Sequence, residues 1–171
     1  LYHQVIFLLN AGHETTTNLI TNGVLALIDD PEQYALMRDA EGAAVDTAVE
    51  ELLRFEAPIQ LNNRRTTCAT VVGGMELAPG TNITLSIAGA NRDPSQFLRP
   101  DQLDIQRAAN SHLGFGSGIH TCAGLHVARL EGRIGIKRLL QRFPKLHTNG
   151  VPIRAKRARF RVVLEAPMST G

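Results

Sequence analysis

A cysteine in a glycine-rich loop, directly before a long amphipathic pattern, constrains this chain more than any other feature. The loop covers residues 115–124 (FGSGIHTCAG), with Cys122 near its end. Glycines this dense let the backbone turn tightly and approach a flat object closely. A cysteine at a helix entry lies near unpaired amide donors and the positive end of the helix dipole, which favours the thiolate. Cys122 is therefore predicted to be either a nucleophile or a ligand to a soft or borderline metal.

The overall composition predicts one globular domain and excludes several classes of protein. The chain has 171 residues, 43% of them hydrophobic and 20% charged, which is typical of a domain with a real core. No uncharged apolar run approaches the roughly 20 residues needed to cross a membrane. A net charge of +2 is too small to indicate nucleic-acid binding. The chain opens at Leu1 as if inside a helix, without a signal peptide, so we expect a fragment of a longer protein.

The two cysteines and the basic C-terminal segment have ordinary interpretations. Cys68 and Cys122 do not form a metal-ligand pair, and nothing else suggests an exported protein. We therefore expect reduced thiols and a cytoplasmic location. Five of the eight residues 154–161 are basic, with apolar residues among them and directly after, which indicates a strand with one solvated basic face.

The first helical pattern, residues 5–28, has a polar middle. The apolar segments 5–9 and 19–25 are predicted to be largely buried. Between them lies the segment 12–18 (GHETTTN), which is poor in helix-forming residues. Thr15 can bond back to the carbonyl of Ala11 and bend the helix. We expect something functional to lie against this segment, the alternative being a helix that crosses a wet gap.

The remaining pattern predicts further helices and short strands. Asp30 is expected to cap a second helix, with Pro31 in its first turn and Gln33 completing a capping box. A third helix over 45–55 carries Glu51 and Arg54 on one face, a pair that taken alone indicates a surface salt bridge. Further along, we expect a hairpin over 66–77, a strand over 81–88, an irregular segment over 95–113, a helix over 125–143 and two short strands within 151–165.

Four motifs together resemble the cytochrome P-450 family. The loop F-x-x-G-x-x-x-C-x-G, ending at Gly124, is similar to the family's haem-binding loop. The segment 11–16 (AGHETT) resembles the oxygen-activating helix, Glu51-x-x-Arg54 the glutamate–arginine helix, and 90–94 (ANRDP) the segment before the meander in bacterial members. The motifs follow the family's order and spacing. The resemblance implies a mainly α fold with small β-sheets, the C-terminal portion of the cytochrome P-450 fold.

The resemblance also implies a cofactor and residues that bind it. Cys122 would be the thiolate ligand to the iron of haem b (heme b, iron protoporphyrin IX). Loop amides would bond to its sulfur, and Phe115 would shield the sulfur from water. Arg64 and His120 would contact the haem propionates, the alternative being a solvated arginine and a loop histidine. The residues implied to line the haem are Ala11, Gly12, Gly116, Ala123 and Gly124, in addition to those already named.

Proton delivery and a structural ion network are implied by the same resemblance. Glu14 would relay protons towards bound dioxygen, and Thr15 would be an orienting donor beside it. Glu51 and Arg54 would join a buried network with an arginine of the meander, for which Arg107 is the best positional candidate. Gln102 stands where some members keep that arginine.

The function implied is that of a monooxygenase that inserts one oxygen atom from O₂ into a small organic substrate. Residues 1–171 would be the C-terminal part of a single haem-binding domain whose N-terminal part is absent. Electrons would come from a ferredoxin or a similar donor, for which Arg129 and Arg133 are weak docking candidates. The alternatives are a peroxide-driven haem-thiolate enzyme, a non-catalytic haem-binding module or an inactive fragment.

Overall fold

The computed structural model describes residues 1–171 as a helical body with four small two-stranded antiparallel sheets. The helices are α1 (Tyr2–Ile28), α2 (Pro31–Asp39), α3 (Ala43–Phe55), α4 (Ile87–Ala90) and α5 (Leu125–Arg142). The strands are β1 (Leu61–Arg65), β2 (Thr70–Val72), β3 (Met75–Leu77), β4 (Asn82–Ser86), β5 (His147–Thr148), β6 (Ile153–Arg154), β7 (Val163–Glu165) and β8 (Met168–Ser169). A 3-10 turn covers Gly118–His120.

The core lies between the C-terminal half of α1 and the helices α2, α3 and α5. Apolar side chains at helical spacing meet there, as the sequence pattern predicts. The four predicted helices are confirmed as α1, α2, α3 and α5, and the predicted ends lie within three residues of the observed ones. Fully buried core residues include Leu19, Leu27, Met37, Leu52, Ile136 and Leu140.

The first turns of α1 differ from the prediction. Residues 5–9 were expected to be largely buried, but all five side chains are exposed, with Phe7 at 68%. Every buried residue of α1 lies at or after Asn18, where the helix meets the core. Hydrophobicity alone therefore gave the wrong prediction for this segment, because no other part of the chain packs against it.

The start of α2 also differs in part from the prediction. Asp30 is confirmed as the N-cap, because its Oδ1 accepts a hydrogen bond from the Gln33 amide at 3.2 Å. The Gln33 side chain does not complete a capping box. Its Oε1 accepts instead from the Ile105 amide at 2.8 Å, which ties the irregular segment to α2.

The strands place one predicted site residue and correct two predictions. β1, which was not predicted, pairs antiparallel with β4 and sets Arg64 opposite Ile83. The predicted hairpin is confirmed as β2–β3, although its first strand begins only at Thr70. The strand predicted to reach residue 88 ends at Ser86, because the Ser86 hydroxyl accepts from the Gly89 amide and caps the short α4.

The C-terminal segment closes the fold with two further ladders, β5–β8 and β6–β7. The two strands predicted within 151–165 are thereby confirmed as β6 and β7. Four of the five basic residues of the run are exposed, as expected, but only Arg154 lies in a strand. Three of the arginines are also tied to α1 or to the residue directly after α3. Arg157 pairs with Glu14, Arg161 with Glu56, and Arg154 with Asn22. No helix combines the length and apolarity that crossing a bilayer requires.

Candidate functional site

One cavity brings most of the predicted site residues together. It has a volume of about 580 Å³ and lies between α1, β1, the cysteine loop and the C-terminal segment. Half of its 22 lining residues are hydrophobic. The predicted residues that line it are Ala11, Glu14, Thr15, Arg64, Phe115, Gly116, His120 and Cys122. Gly12, Ala123 and Gly124 lie next to this set in sequence but do not line the cavity.

The polar middle of α1 supplies one side of the cavity. Thr15 Oγ1 donates a hydrogen bond to the Ala11 carbonyl at 2.7 Å, as predicted, and α1 remains one continuous helix. Because the hydroxyl proton is committed to Ala11, Thr15 presents its lone pairs to the cavity in this rotamer. Glu14 Oε1 accepts from Arg157 Nη1 at 3.0 Å, and both side chains are partly exposed. The Glu14 carboxylate thus both lines the cavity and reaches the surface.

The cysteine loop supplies another side. Gly116 and Gly118 have φ angles of +72° and +69°, a conformation that side-chain-bearing residues rarely adopt. This turn brings the Cys122 amide to the Phe115 carbonyl, with an N···O distance of 2.9 Å. The amides of Ala123 and Gly124 donate to no acceptor within the chain, and no amide bonds to Cys122 Sγ. Two unpaired donors therefore follow Cys122 directly in the chain, at the start of α5.

The two predicted propionate residues occupy different surroundings. Arg64 lines the cavity from β1, and its Nη1 donates to the Asn63 carbonyl at 2.8 Å. His120 closes the 3-10 turn and is exposed. Neither side chain has a carboxylate partner in the chain, so each remains available to an anionic group.

The Glu51–Arg54 pair is buried, not a surface salt bridge. Arg54 Nε and Nη2 donate to the two oxygens of the Glu51 carboxylate at 2.7 and 2.8 Å, and both side chains are fully buried. Arg107 Nε lies 3.0 Å from Glu51 Oε2, and the Asn110 amide and the Asp104 backbone also donate to this carboxylate. Arg54 further donates to the carbonyls of Asn91, Pro100 and Gln102, which fixes the segment that follows α4 against α3.

A second charged cluster was missed by sequence reasoning. Glu50, beside Glu51 on α3, contacts Arg129 at 2.7 and 2.8 Å and the His112 imidazole at 3.1 Å. Burial alone would raise the pKa of Glu50, but the hydrogen bonds and charges of Arg129 and His112 lower it to about 2. The three members of this Glu50 cluster (Glu50, Arg129 and His112) lie far apart in sequence, so no spacing signal marks them. Arg129, predicted as a docking candidate, is thus committed to Glu50, while Arg133 lies 3.4 Å from Asp46.

Comparison with known proteins identifies the family. The Cytochrome P-450 family model matches residues 43–167. The chain belongs to the cytochrome P-450 family. It is 46% identical over 142 residues to the biotin biosynthesis cytochrome P-450 of Bacillus subtilis (strain 168), covering 83% of this chain and 36% of that protein. It is 44% identical over 147 residues to the vitamin D(3) 25-hydroxylase of Pseudonocardia autotrophica, covering 85% of this chain and 36% of that protein.

Solved structures of this cytochrome P-450 family share the fold. The structure of P-450 BioI in complex with an acyl carrier protein ligated to hexadec-9Z-enoic acid matches with a TM-score of 0.92 and 43% identity, covering 96% of this chain and 43% of that one. The bacillaene polyketide synthase cytochrome P-450 PksS of Bacillus subtilis 168 matches with a TM-score of 0.93 and 36% identity, covering 99% and 44%. The chain spans little more than a third of the curated relatives' length and over two fifths of these solved chains.

Members of this cytochrome P-450 family bind haem b, and the donor set of the cavity fits that cofactor. Cys122 is the only cysteine that lines the cavity, and no three His, Cys, Asp or Glu residues of the chain are arranged to hold a bare metal ion. A porphyrin brings four nitrogen ligands of its own, so one thiolate from the protein is sufficient. The apolar lining suits the macrocycle, and Arg64 suits its carboxylates.

Proposed function

We propose that this chain carries the thiolate ligand and the oxygen-side helix of a haem-thiolate monooxygenase, which inserts one oxygen atom from O₂ into an organic substrate. One observation carries the proposal: Cys122 of the loop and Ala11, Glu14 and Thr15 of α1 line the same cavity. Haem b, when bound, supplies the redox-active iron for the reductive activation of dioxygen.

The cysteine loop holds the ligand. Cys122 binds the iron as thiolate, and the unpaired amides of Ala123 and Gly124 stabilise the negative charge on its sulfur. Phe115 lines the same cavity as Cys122, and its ring would help to shield the sulfur from water when haem is bound. Arg64 and His120 bind the propionates, because each is a donor without a carboxylate partner in the chain.

Residues of α1 move protons. Glu14 takes protons from solvent, since its carboxylate lines the cavity, is partly exposed and pairs with Arg157. Thr15 receives them at Oγ1, whose lone pairs face the cavity while its own proton bonds to the Ala11 carbonyl. Donation by Thr15 requires its hydroxyl to rotate away from Ala11. Proton transfer by positioned groups of this kind contributes about 10²–10⁴-fold to a rate.

The substrate class and the electron donor follow from the surroundings of the cavity. Half of the lining residues are hydrophobic, including Phe7, Ile59 and Phe160, which suits an apolar organic substrate. Electrons come from a separate redox protein such as a ferredoxin. Arg129 and Arg133 already pair with acids of α3, so they add little net positive charge for its docking. Two free exposed cysteines suit a reducing, cytoplasmic location.

A haem titration tests the proposal with a matched pair of variants. Cys122→Ser removes the only cysteine of the cavity, whereas Cys68→Ser removes the other exposed free thiol, which does not line it. We expect Cys122→Ser alone to abolish the absorption spectrum of thiolate-ligated haem. Equal spectra for the two variants would contradict Cys122 as the ligand. Haem bound without turnover, given substrate and reductant, would favour the non-catalytic haem-binding module.

A further inference from the structure

The Glu50 cluster joins three elements directly behind the cysteine loop. Glu50 lies on α3, Arg129 on α5, and His112 in the irregular segment that leads into the loop. The Arg129 guanidinium bonds to both carboxylate oxygens, and the buried His112 ring bonds to one of them through Nε2. His112 Nδ1 accepts from the Gly114 amide at 3.0 Å. In the uncharged ring these two bonds together require the tautomer with the proton on Nε2, which donates to Glu50.

Two members of the cluster, Arg129 and His112, lie close to the ring of Phe115. The Arg129 guanidinium carbon lies 5.0 Å from the ring centroid, within the range of a cation–π interaction. The His112 ring centroid lies 6.0 Å from the same centroid at an interplanar angle of 47°. Glu50 fixes both of these groups, so its carboxylate sets the position of Phe115 without touching it.

The backbone next to Phe115 is held by the same residues. The Gly114 amide bonds to His112, and a Cβ at Gly114 would meet His112 Nδ1 at 3.0 Å and the Leu53 carbonyl at 3.2 Å, so the chain passes here without room for a side chain. The Phe115 carbonyl in turn accepts the Cys122 amide at 2.9 Å. A continuous path of contacts therefore runs from Glu50 to the backbone of Cys122.

We propose that Glu50, Arg129 and His112 are positioning residues which lock Phe115 and, through its carbonyl, set the backbone geometry of the Cys122 ligand. This inference rests on the proposed function, because it assigns Cys122 as the ligand. Arg129 accordingly acts on the Cys122 ligand by holding Phe115, and docking a redox partner is not its main role. The low pKa of Glu50 keeps its carboxylate charged at any ordinary pH, so the lock is permanent and not a switch.

Amide hydrogen exchange at Cys122 tests the lock without relying on haem. Glu50→Gln and Arg129→Gln each break the pair of hydrogen bonds between Arg129 and the Glu50 carboxylate, and we expect the Cys122 amide to exchange about tenfold faster in both. Arg133→Gln is the matched control, because Arg133 also pairs with an acid of α3 but lies one helical turn along α5 from Arg129. Its Cys122 amide should exchange at the original rate. Arg129→Lys, which keeps the charge near the ring, should restore part of the protection.

The haem-loaded protein supplies a second measurement. The reduction potential and the thiolate absorption band should change in Glu50→Gln and Arg129→Gln, and remain unchanged in Arg133→Gln. Unchanged exchange and unchanged potential in the first two variants would overturn the inference while leaving the haem-thiolate function intact. Equal changes in all three variants would also overturn it, because they would report general destabilisation. Loss of the proposed function itself would appear separately, as a wild-type protein without a thiolate band.

Discussion

Arg157 Nη1 donates to Glu14 Oε1 across 3.0 Å, joining two residues that are 143 positions apart in the chain. The contact ties the middle of α1 to the C-terminal segment at the edge of the cavity that Cys122 lines. A residue of the basic run thereby becomes part of the surroundings of the proposed proton donor.

Arg157→Gln tests the importance of this contact. Both partners are partly exposed, so the free energy of unfolding should fall by about 1 kcal/mol or less. The ratio of peroxide to product should rise, because the Glu14 carboxylate loses its fixed orientation. Lys156→Gln removes a neighbouring cation that has no carboxylate partner, and should leave the ratio unchanged. An unchanged ratio in Arg157→Gln would mean that the pair has no part in proton delivery.

Thr15→Ala should uncouple oxygen consumption from product formation. Product formation should fall by about 10²-fold with peroxide released instead, since the hydroxyl that faces the cavity is lost. Thr15→Ser should retain most of the coupling. Thr17→Ala provides the control, because Thr17 makes the same bond to the helix backbone at 2.9 Å but does not line the cavity. Similar coupling in both alanine variants would remove Thr15 from the mechanism.

Glu51→Ala should destabilise the fold and give little haem-loaded protein. Its carboxylate accepts five hydrogen bonds, and its removal leaves the buried Arg54 without a counter-charge, at a cost of about 3–5 kcal/mol. Denaturant unfolding measures this loss. Asp46→Ala on the same helix breaks only an exposed pair and should cost about 1 kcal/mol or less. A stable, fully loaded Glu51→Ala protein would contradict the structural role of the network.

The lowered pKa of Glu50 predicts how the stability of the fold depends on pH. Its pKa is about 2 in the folded protein against 4.5 for a free glutamate, so the folded state favours the charged form. The stabilisation, at most about 3 kcal/mol, is fully present above pH 4.5 and is lost as the pH falls towards 2. The difference in unfolding free energy between wild type and Glu50→Gln should therefore be constant from neutral pH down to about 5 and shrink below that. A difference that persists at the acid end would show that the charge of Glu50 is not its cause.

Local patterns predicted the helices and the capping of α2, because those signals lie within a few residues of each other. β1 was missed because residues 62–65 are asparagine and arginine, and only its pairing with β4 makes it a strand. The helical turn after Ser86 had a signal that was overlooked, the serine cap itself. The Glu50 cluster and the Glu14–Arg157 contact depend on tertiary packing, which no local pattern encodes.

The ferrous carbon monoxide spectrum of the haem-loaded protein tests the central claim most directly, since it reports the ligand of the iron. We expect a strongly red-shifted Soret band in the wild type and in Cys68→Ser, and its loss in Cys122→Ser. A wild-type protein without this band, or a Cys122→Ser variant that keeps it, would contradict the assignment of Cys122 as the thiolate ligand.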